Sequence, residues 1–298
     1  MTLFAVLAAL VLEHWRPERP GQPRRTAREW LAWLLDNLNA GGEQHGLLAW
    51  TLGALLPALI VAGLGHLLAG IWAPLGWAFD VLALYFCLGF KGASYLAAGV
   101  VRSLEQDDLE RAREKLGVWR PNLLLGADAS SLLRQTLEET FRQALARLFG
   151  VLFWFLLLGP AGAVLHVLTH LARDSWHGES AFGDFARRMA AWLDWLPARA
   201  MAFSFAIAGN FQDALECWRG QTTEWGDPSD GVLLAAGAGA LGLRLGGNLQ
   251  LSAGALVRPD LGLGEAPGLD ALDGVVALVW RAALLWVAVL GLLWLGSL

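Results

Sequence analysis

The chain alternates long apolar runs with polar connections. The apolar residues fall into six runs: Thr2–Leu12, Gly46–Ile71, Pro74–Val101, Leu148–Leu171, Trp192–Phe211 and Gly274–Leu298. A helix of about 20 apolar residues crosses a hydrocarbon core roughly 30 Å thick, so five of these runs are long enough and the first is short. The pattern predicts an all-α fold, a multi-pass transmembrane helical bundle of five or six spans.

The fourth run contains a helix-breaking pair. Leu148–Leu165 carries no charge over eighteen residues, yet Gly159 and Pro160 lie inside it. Proline removes a helical hydrogen bond, and a membrane tolerates the freed backbone groups only where other helices or water satisfy them. We therefore predict a kinked span packed among other helices.

Composition agrees with a membrane protein. The 298 residues are 56% hydrophobic and 16% charged, whereas soluble domains average about 25% charged residues. Sixteen tryptophans against two tyrosines fit an interfacial belt. The net charge of −5 and the absence of a basic stretch exclude nucleic acid as a partner. The expected partners are the lipid bilayer and other membrane or cell-envelope proteins.

Charge in the connections predicts the topology. With six spans, Glu13–His45, Arg102–Arg147 and Gln212–Asp273 lie on one side, which carries 16 of the 22 basic residues. The positive-inside rule makes that side cytoplasmic in a bacterial inner membrane. We predict one integral membrane domain over 1–298 and a cytoplasmic helical hairpin inserted at 102–147. Residues 212–273 form a cytoplasmic Gly/Ala-rich region, whose small residues suit close packing or a re-entrant segment.

Some charged residues lie within apolar runs. Asp80 and Lys91 are eleven residues apart, about three helical turns, and Arg281 lies in the last run. Intramembrane charges usually face the bundle interior, either at a functional site or in a structural contact with another helix.

Two histidines have a spacing that can bind a metal ion. His166 and His170 stand at i and i+4, on one face of a helix. They lack the glutamate of the zinc-protease motif, so we predict no metal site.

Five residues are candidates for ligand binding. Arg244 precedes Gly246 and Gly247 in an apolar stretch. Either the arginine and the glycine backbone together bind a phosphate, or the arginine forms an ion pair with an acid. Arg199 either contacts an anion or extends to the interface. Glu138 belongs either to an acidic site or to a solvated helix face.

Four blocks then resemble a known family. They occur in the family's order: SLEQDDLERAREKL at Ser103–Leu116, LFWFLLLGPAGAVLH at Leu152–His166, LDWLPARAMA at Leu193–Ala202 and AAGAGALGLRLGG at Ala235–Gly247. Together they resemble the CobD/CbiB family of membrane proteins linked to cobalamin biosynthesis. The resemblance implies an enzyme that joins adenosylcobyric acid to an aminopropanol phosphate through an amide bond, with ATP and magnesium.

The chain departs from that family's acidic pattern. Where the enzymes show approximately ES-x-AEN-x-x-DG, only Glu138 fits, Arg142 replaces a glutamate and Ala146 replaces an aspartate. An acid after the fourth run is also missing. This depleted pattern resembles the AmpE-like branch, which implies a non-catalytic sensor or modulator of an envelope process. We take that as the first hypothesis and predict no cofactor, with magnesium and ATP belonging to the alternative, the cobalamin-biosynthesis enzyme.

Overall fold

The structure is a computed structural model that describes residues 2–15, 22–119, 128–176, 181–251 and 254–296. Its elements are almost all helical. The helices are α1 Thr2–Trp15, α2 Gln22–Leu38, α3 Glu43–Trp50, α4 Leu56–Ile71, α5 Ala73–Cys87, α6 Phe90–Glu105, α7 Leu109–Gly117, α8 Ala129–Ala144, α9 Gly150–Ser175, α10 Ala181–Ala208, α11 Phe211–Gln221, α12 Pro228–Leu241 and α13 Ala271–Leu295. Short π-helical turns, Thr51–Leu55 and Leu145–Phe149, precede α4 and α9.

Within the described ranges, four helical stretches are long and apolar enough to cross a membrane. They are Glu43–Ile71, Ala73–Glu105, Ala129–Ser175 and Ala271–Leu295, and α1 is a shorter apolar helix. The predicted all-α membrane bundle is confirmed. The predicted span Trp192–Phe211 lies in α10 and the start of α11 and is not among the four. Charged residues recur along α10: Asp184, Arg187, Arg188, Asp194 and Arg199.

The predicted kink is present in α9. Gly159 has φ 65° and ψ −155°, a conformation that is essentially restricted to glycine, and Pro160 follows it. The turn brings Gly162 so close to the preceding half of the helix that an added Cβ would stand 2.2 Å from the Trp154 carbonyl oxygen. Both glycines are therefore required by the bend.

By its contacts the chain divides into two compact units. The first unit comprises 1–89, 145–197 and 290–298. Its core includes Leu31, Leu34, Leu171, Trp176 and Phe182. The Trp176 indole donates a hydrogen bond to the Leu31 carbonyl at 2.9 Å, which satisfies the polar atom of a buried ring.

The second unit comprises 90–144 and 198–289. Here α8 packs with α6 and α12, and α12 packs with α11. Four short strands follow α12: β1 Leu245–Gly246, β2 Leu249–Leu251, β3 Gly254–Leu256 and β4 Asp260–Leu261. They pair antiparallel as β1 with β4 and β2 with β3. The single membrane domain and the cytoplasmic location of 102–147 and 212–273 stay predictions.

Asp128 caps α8. Its Oδ1 accepts a hydrogen bond from the Ser131 amide at 3.1 Å, and its Oδ2 accepts one from the Ser130 hydroxyl at 2.8 Å. The bonds from Ser131 and Ser130 lower the pKa of Asp128 below its ordinary value. The carboxylate therefore satisfies orphan donors at the helix N-terminus.

Replacing Asp128 by Ala is expected to lower the free energy of unfolding by about 0.5–2 kcal/mol at neutral pH. Because the folded-state pKa is lowered, this stabilisation is present above the unfolded-state pKa and disappears as the pH falls through the folded-state pKa. Unfolding in detergent micelles, measured for both proteins at neutral and strongly acidic pH, should show the difference shrinking in acid. A difference that does not depend on pH would contradict the cap.

Candidate functional site

Two acids and an arginine lie on one buried turn of α8. Arg142 follows Glu139 by three residues and Glu138 by four, so the helix brings it next to both acids. The Glu138 side chain is only 1% exposed. Arg142 Nη2 lies 3.5 Å from Glu138 Oε2, and its Nη1 lies 3.6 Å from Glu139 Oε2. A buried carboxylate requires further partners, and these come from distant segments.

Glu138 forms a two-pronged ion pair with Arg258. Arg258 Nη1 donates to Oε2 at 2.8 Å, and Nη2 donates to Oε1 at 3.1 Å. The Gly246 amide donates to the same Oε1 at 3.0 Å. Paired parallel bonds between guanidinium and carboxylate fix both orientation and distance. Glu138 thereby ties α8 to the strand segment 108–120 residues away.

Arg142 also forms an ion pair with an acid on another helix, α12. Its Nε donates to Asp230 Oδ2 at 2.6 Å, and Asp230 lies in the first turn of α12. Three carboxylates, of Glu138, Glu139 and Asp230, thus lie around the Arg142 guanidinium, and Glu138 also binds Arg258. These five side chains carry a formal charge of −1, so the arginine at position 142 does not make this group cationic.

The glycines of β1 permit this approach. Gly246 and Gly247 have φ of 78° and 75°. A Cβ on Gly246 would stand 2.3 Å from the Pro259 carbonyl oxygen. Arg258 Nε donates to the Gly247 carbonyl at 3.0 Å, and its guanidinium lies 5.0 Å from the Trp225 ring centroid. The ring and the carbonyl hold Arg258 in line with Glu138.

Arg134 completes the group on the α8 side. Its Nη1 donates to the Gly246 carbonyl at 3.2 Å, and its Nη2 donates to the Ser131 hydroxyl at 3.4 Å. Both of these described partners are neutral. We call the whole set the Glu138 cluster: Arg134, Glu138, Glu139, Arg142, Asp230, Gly246, Gly247 and Arg258.

The structure brings together three of the five predicted ligand residues. Glu138, Gly246 and Gly247 meet in the cluster, whereas Arg244 is exposed and donates to the Gly264 carbonyl at 3.2 Å. Arg199 is half-buried in α10. The anion that contacts the Gly246 amide is the Glu138 carboxylate, and the arginine beside it is Arg258. Ligand binding by the five residues stays a prediction.

Sequence reasoning missed Arg258, Asp230 and Arg134. None of them lies in a motif, and Arg258 follows a stretch without helical or strand periodicity. A usable signal was available for Asp230, because Asp227-Pro228-Ser229-Asp230 is a helix start with acids in the first turn.

The predicted intramembrane charges lie on α5, α6 and α13, none of which contributes a residue to the cluster. Asp80 is in α5 and Lys91 in α6, and the helix is interrupted at Leu88 and Gly89. Their spacing of about three helical turns therefore does not place them on one helical face. Lys91 Nζ lies 5.7 Å from its neighbouring Tyr95 ring, and the exposed Arg281 donates to the Ala277 carbonyl.

The cluster does not fit magnesium in the described conformation. Mg²⁺ requires oxygen ligands in near-octahedral geometry. Both Glu138 oxygens accept bonds from Arg258, Glu139 Oε1 accepts one from Gln143 at 2.8 Å, and Asp230 is bonded to Arg142. Guanidinium groups therefore stand where a magnesium ion would compete for the carboxylates, and we assign no step to magnesium or ATP.

Known proteins match nearly the whole chain. The profile of the family described as CobD/Cbib protein matches residues 3–279. A relative from Stutzerimonas stutzeri, named cobalamin biosynthesis protein CobD, is 34% identical over 254 residues, covering 84% of this chain and 82% of the relative. A protein of the same name from Chromobacterium violaceum is 34% identical, covering 70% of this chain and 68% of the relative. Another, from Mycobacterium tuberculosis (strain CDC 1551 / Oshkosh), is 30% identical, covering 82% of this chain and 78% of the relative. No solved structure matches the chain.

These matches overturn the first hypothesis. The prediction of an AmpE-like, non-catalytic sensor of an envelope process is wrong, because the similar proteins are named for cobalamin biosynthesis. That prediction rested on acids missing before and after the fourth run, one of them replaced by Arg142, and it overlooked Asp230, which balances this arginine from 88 residues away. The resemblance itself is confirmed: the chain belongs to the CobD/Cbib family.

Proposed function

We propose that this protein is a membrane enzyme of cobalamin biosynthesis in a bacterial inner membrane, and that it joins an aminopropanol phosphate to adenosylcobyric acid. The support is the name of its relatives, which cover most of the chain, together with four apolar helical stretches of spanning length. The lipid bilayer is the proposed partner of those helices.

The observation that carries the proposal is the buried pair of Glu138 and Arg258. With the Gly246 amide it joins α8, where Glu138 fits the family's acidic pattern, to the Gly-rich segment that resembles the family. Burying such charged groups is expensive unless geometry and hydrogen bonds are excellent. A site of this kind positions its neighbours rigidly.

Arg134 is the residue that suits a substrate anion. Its described partners are a carbonyl and a hydroxyl, so its charge is available for a phosphate or a carboxylate. Both proposed substrates bring such a group: the amine carries a phosphate, and the acid carries the carboxylate that becomes the amide. In the proposed reaction a bond forms between the amine nitrogen and the carboxyl carbon, and the carboxyl oxygen that is displaced leaves with two ammonium protons as water. ATP, which the resemblance implies as co-substrate, would supply the energy for this condensation.

The test is complementation of a strain that lacks the cobalamin amide ligase. Expression of this protein should restore formation of cobinamide phosphate, measured by mass spectrometry of corrinoid extracts. Arg134→Gln should reduce that formation about tenfold or more, because a hydrogen bond to a charged group contributes roughly 1.5–3 kcal/mol.

The matched control is Arg25→Gln. Arg25 forms an exposed i,i+4 pair with Glu29 on α2, and such pairs contribute little. This variant should restore the product as well as the unchanged protein does. Failure of the unchanged protein to restore any product, while it is present in the membrane fraction, would overturn the enzymatic proposal.

A further inference from the structure

Two histidines and an aspartate meet in the first unit. His166 and His170 lie on α9, and Asp194 lies on α10. All three are buried, with exposures of 0%, 6% and 7%. His170 Nε2 lies 2.9 Å from Asp194 Oδ1, and His166 Nδ1 lies 4.0 Å from the same oxygen. The three potential ligand atoms lie within 4.8 Å of one another.

The state of the His166 ring independently indicates that this group of side chains binds a ligand. Neither of its ring nitrogens makes a hydrogen bond within the part of the chain that the structure describes, although the residue is fully buried. Its Nδ1 faces Asp194 and therefore lies among the potential ligand atoms of the three side chains. A buried polar group without a partner costs about 1–3 kcal/mol, which a bound ion would remove.

The backbone packs closely around the His166 ring. The π-helical turn Leu145–Phe149 lies beside the ring, and a Cβ on Gly150 would stand 2.3 Å from His166 Nε2. Such π-turns occur frequently at functional sites. Because Nε2 is packed against backbone, Nδ1 is the nitrogen that remains to bind a ligand.

A further hydrogen bond holds α9 and α10 together close to the two histidines and Asp194. Trp154 Nε1 on α9 donates to the Leu193 carbonyl on α10 at 3.0 Å. Leu193 precedes Asp194 directly, so the carboxylate is held by a fixed backbone. The histidine rings lie 4.4 Å apart at 57°. The three donors are therefore arranged before any ion binds.

We propose that His166, His170 and Asp194 bind a divalent transition-metal ion, with Zn²⁺ as the reference ion. In a tetrahedral zinc site with bonds of 2.0–2.2 Å, ligand atoms are about 3.4 Å apart, which lies between the two distances observed here. Two imidazoles with one carboxylate favour zinc and its neighbours over magnesium or calcium. Three protein ligands leave one position open for water. The site adds to the proposed function and does not depend on it.

The test uses the full-length protein in detergent, stripped with a chelator and then dialysed against Zn²⁺ alone or Co²⁺ alone. We expect about one Zn²⁺ per chain by elemental analysis, and visible absorption bands of nitrogen- and oxygen-ligated Co²⁺. His166→Gln and Asp194→Asn should each weaken Zn²⁺ affinity about tenfold or more, as measured by competition with a chelating dye.

The matched control is His66→Gln, because His66 is an exposed histidine on α4. It should leave affinity and the Co²⁺ spectrum unchanged. Size-exclusion profiles establish that each variant is folded. The proposal is overturned if the unchanged protein retains no Zn²⁺ after dialysis, or if the folded His166→Gln protein binds Zn²⁺ as tightly and gives the same Co²⁺ bands.

Discussion

Replacing Glu138 by Ala is expected to destabilise the protein by about 3–5 kcal/mol, the usual result of removing one partner of a buried ion pair. The change leaves the Arg258 guanidinium, whose side chain is 11% exposed, without the carboxylate that binds it at two points. It also removes the acceptor of the Gly246 amide. Both losses act on the same strand segment, so β1 and β4 should loosen together.

Equilibrium unfolding in mixed micelles measures this effect. Glu29→Ala serves as the control, because the Glu29 side chain is 62% exposed and its pair should contribute less than about 1 kcal/mol. A double variant, Glu138→Leu with Arg258→Met, removes both charges and should recover part of the loss, because an apolar pair leaves no charge unpaired.

Exchanging the two charges separates the ion pair from the backbone contact. Glu138→Arg with Arg258→Glu keeps one positive and one negative group, but it presents a guanidinium to the Gly246 amide, which needs an acceptor. We expect little rescue from this swap. Full rescue would show that the amide contact contributes nothing, and an unchanged stability of Glu138→Ala would contradict the buried pair altogether.

The scaffold was predictable from sequence because its signals are local. Apolar runs of spanning length predicted the membrane class, and Gly159-Pro160 predicted the bend that the structure places there. Each of these features depends on residues close together in the chain.

The site was only partly predictable because its contacts are distant. Glu138 and Gly246 were recognised separately, but the hydrogen bond between them spans 108 residues, and Arg258, which binds Glu138 at two points, is 120 residues away from it. Position 142 shows the same limit. As a linear motif, Arg142 indicated a lost acidic site, whereas in the folded chain Asp230 supplies the opposite charge. A motif records which residues are near in sequence, and the charge of a site depends on which are near in space.

The histidine pair illustrates the converse case. The i,i+4 spacing of His166 and His170 was visible, and the metal hypothesis was set aside because no acid lay beside them in sequence. Asp194 comes from the next helix, 24 residues beyond His170. Helical spacing can place two ligands on one face, but a third ligand from another helix follows only from the packing.

Replacing Gly162 by Ala is expected to have the second large effect, a loss of about 3 kcal/mol in the free energy of unfolding. The new methyl group would meet the Trp154 carbonyl oxygen at 2.2 Å and Leu158 Cβ at 2.8 Å. Overpacking usually costs about 1–3 kcal/mol, and the upper end applies because backbone must move. Trp154 also donates to the Leu193 carbonyl, so its displacement should strain the contact between α9 and α10.

Two further glycines separate steric clash from backbone strain. Gly159→Ala meets nothing within 4 Å, so its expected loss of about 1–3 kcal/mol arises from the glycine-specific φ and ψ alone. Gly63 in α4 has ordinary helical φ and open space around it, so Gly63→Ala should instead stabilise the protein by about 0.5–1 kcal/mol. Thermal unfolding of the three variants in one detergent should give that order. If Gly162→Ala proved as harmless as Gly63→Ala, the two halves of α9 would not meet at Gly162, and the bend at Gly159 would be less sharp than the structure shows.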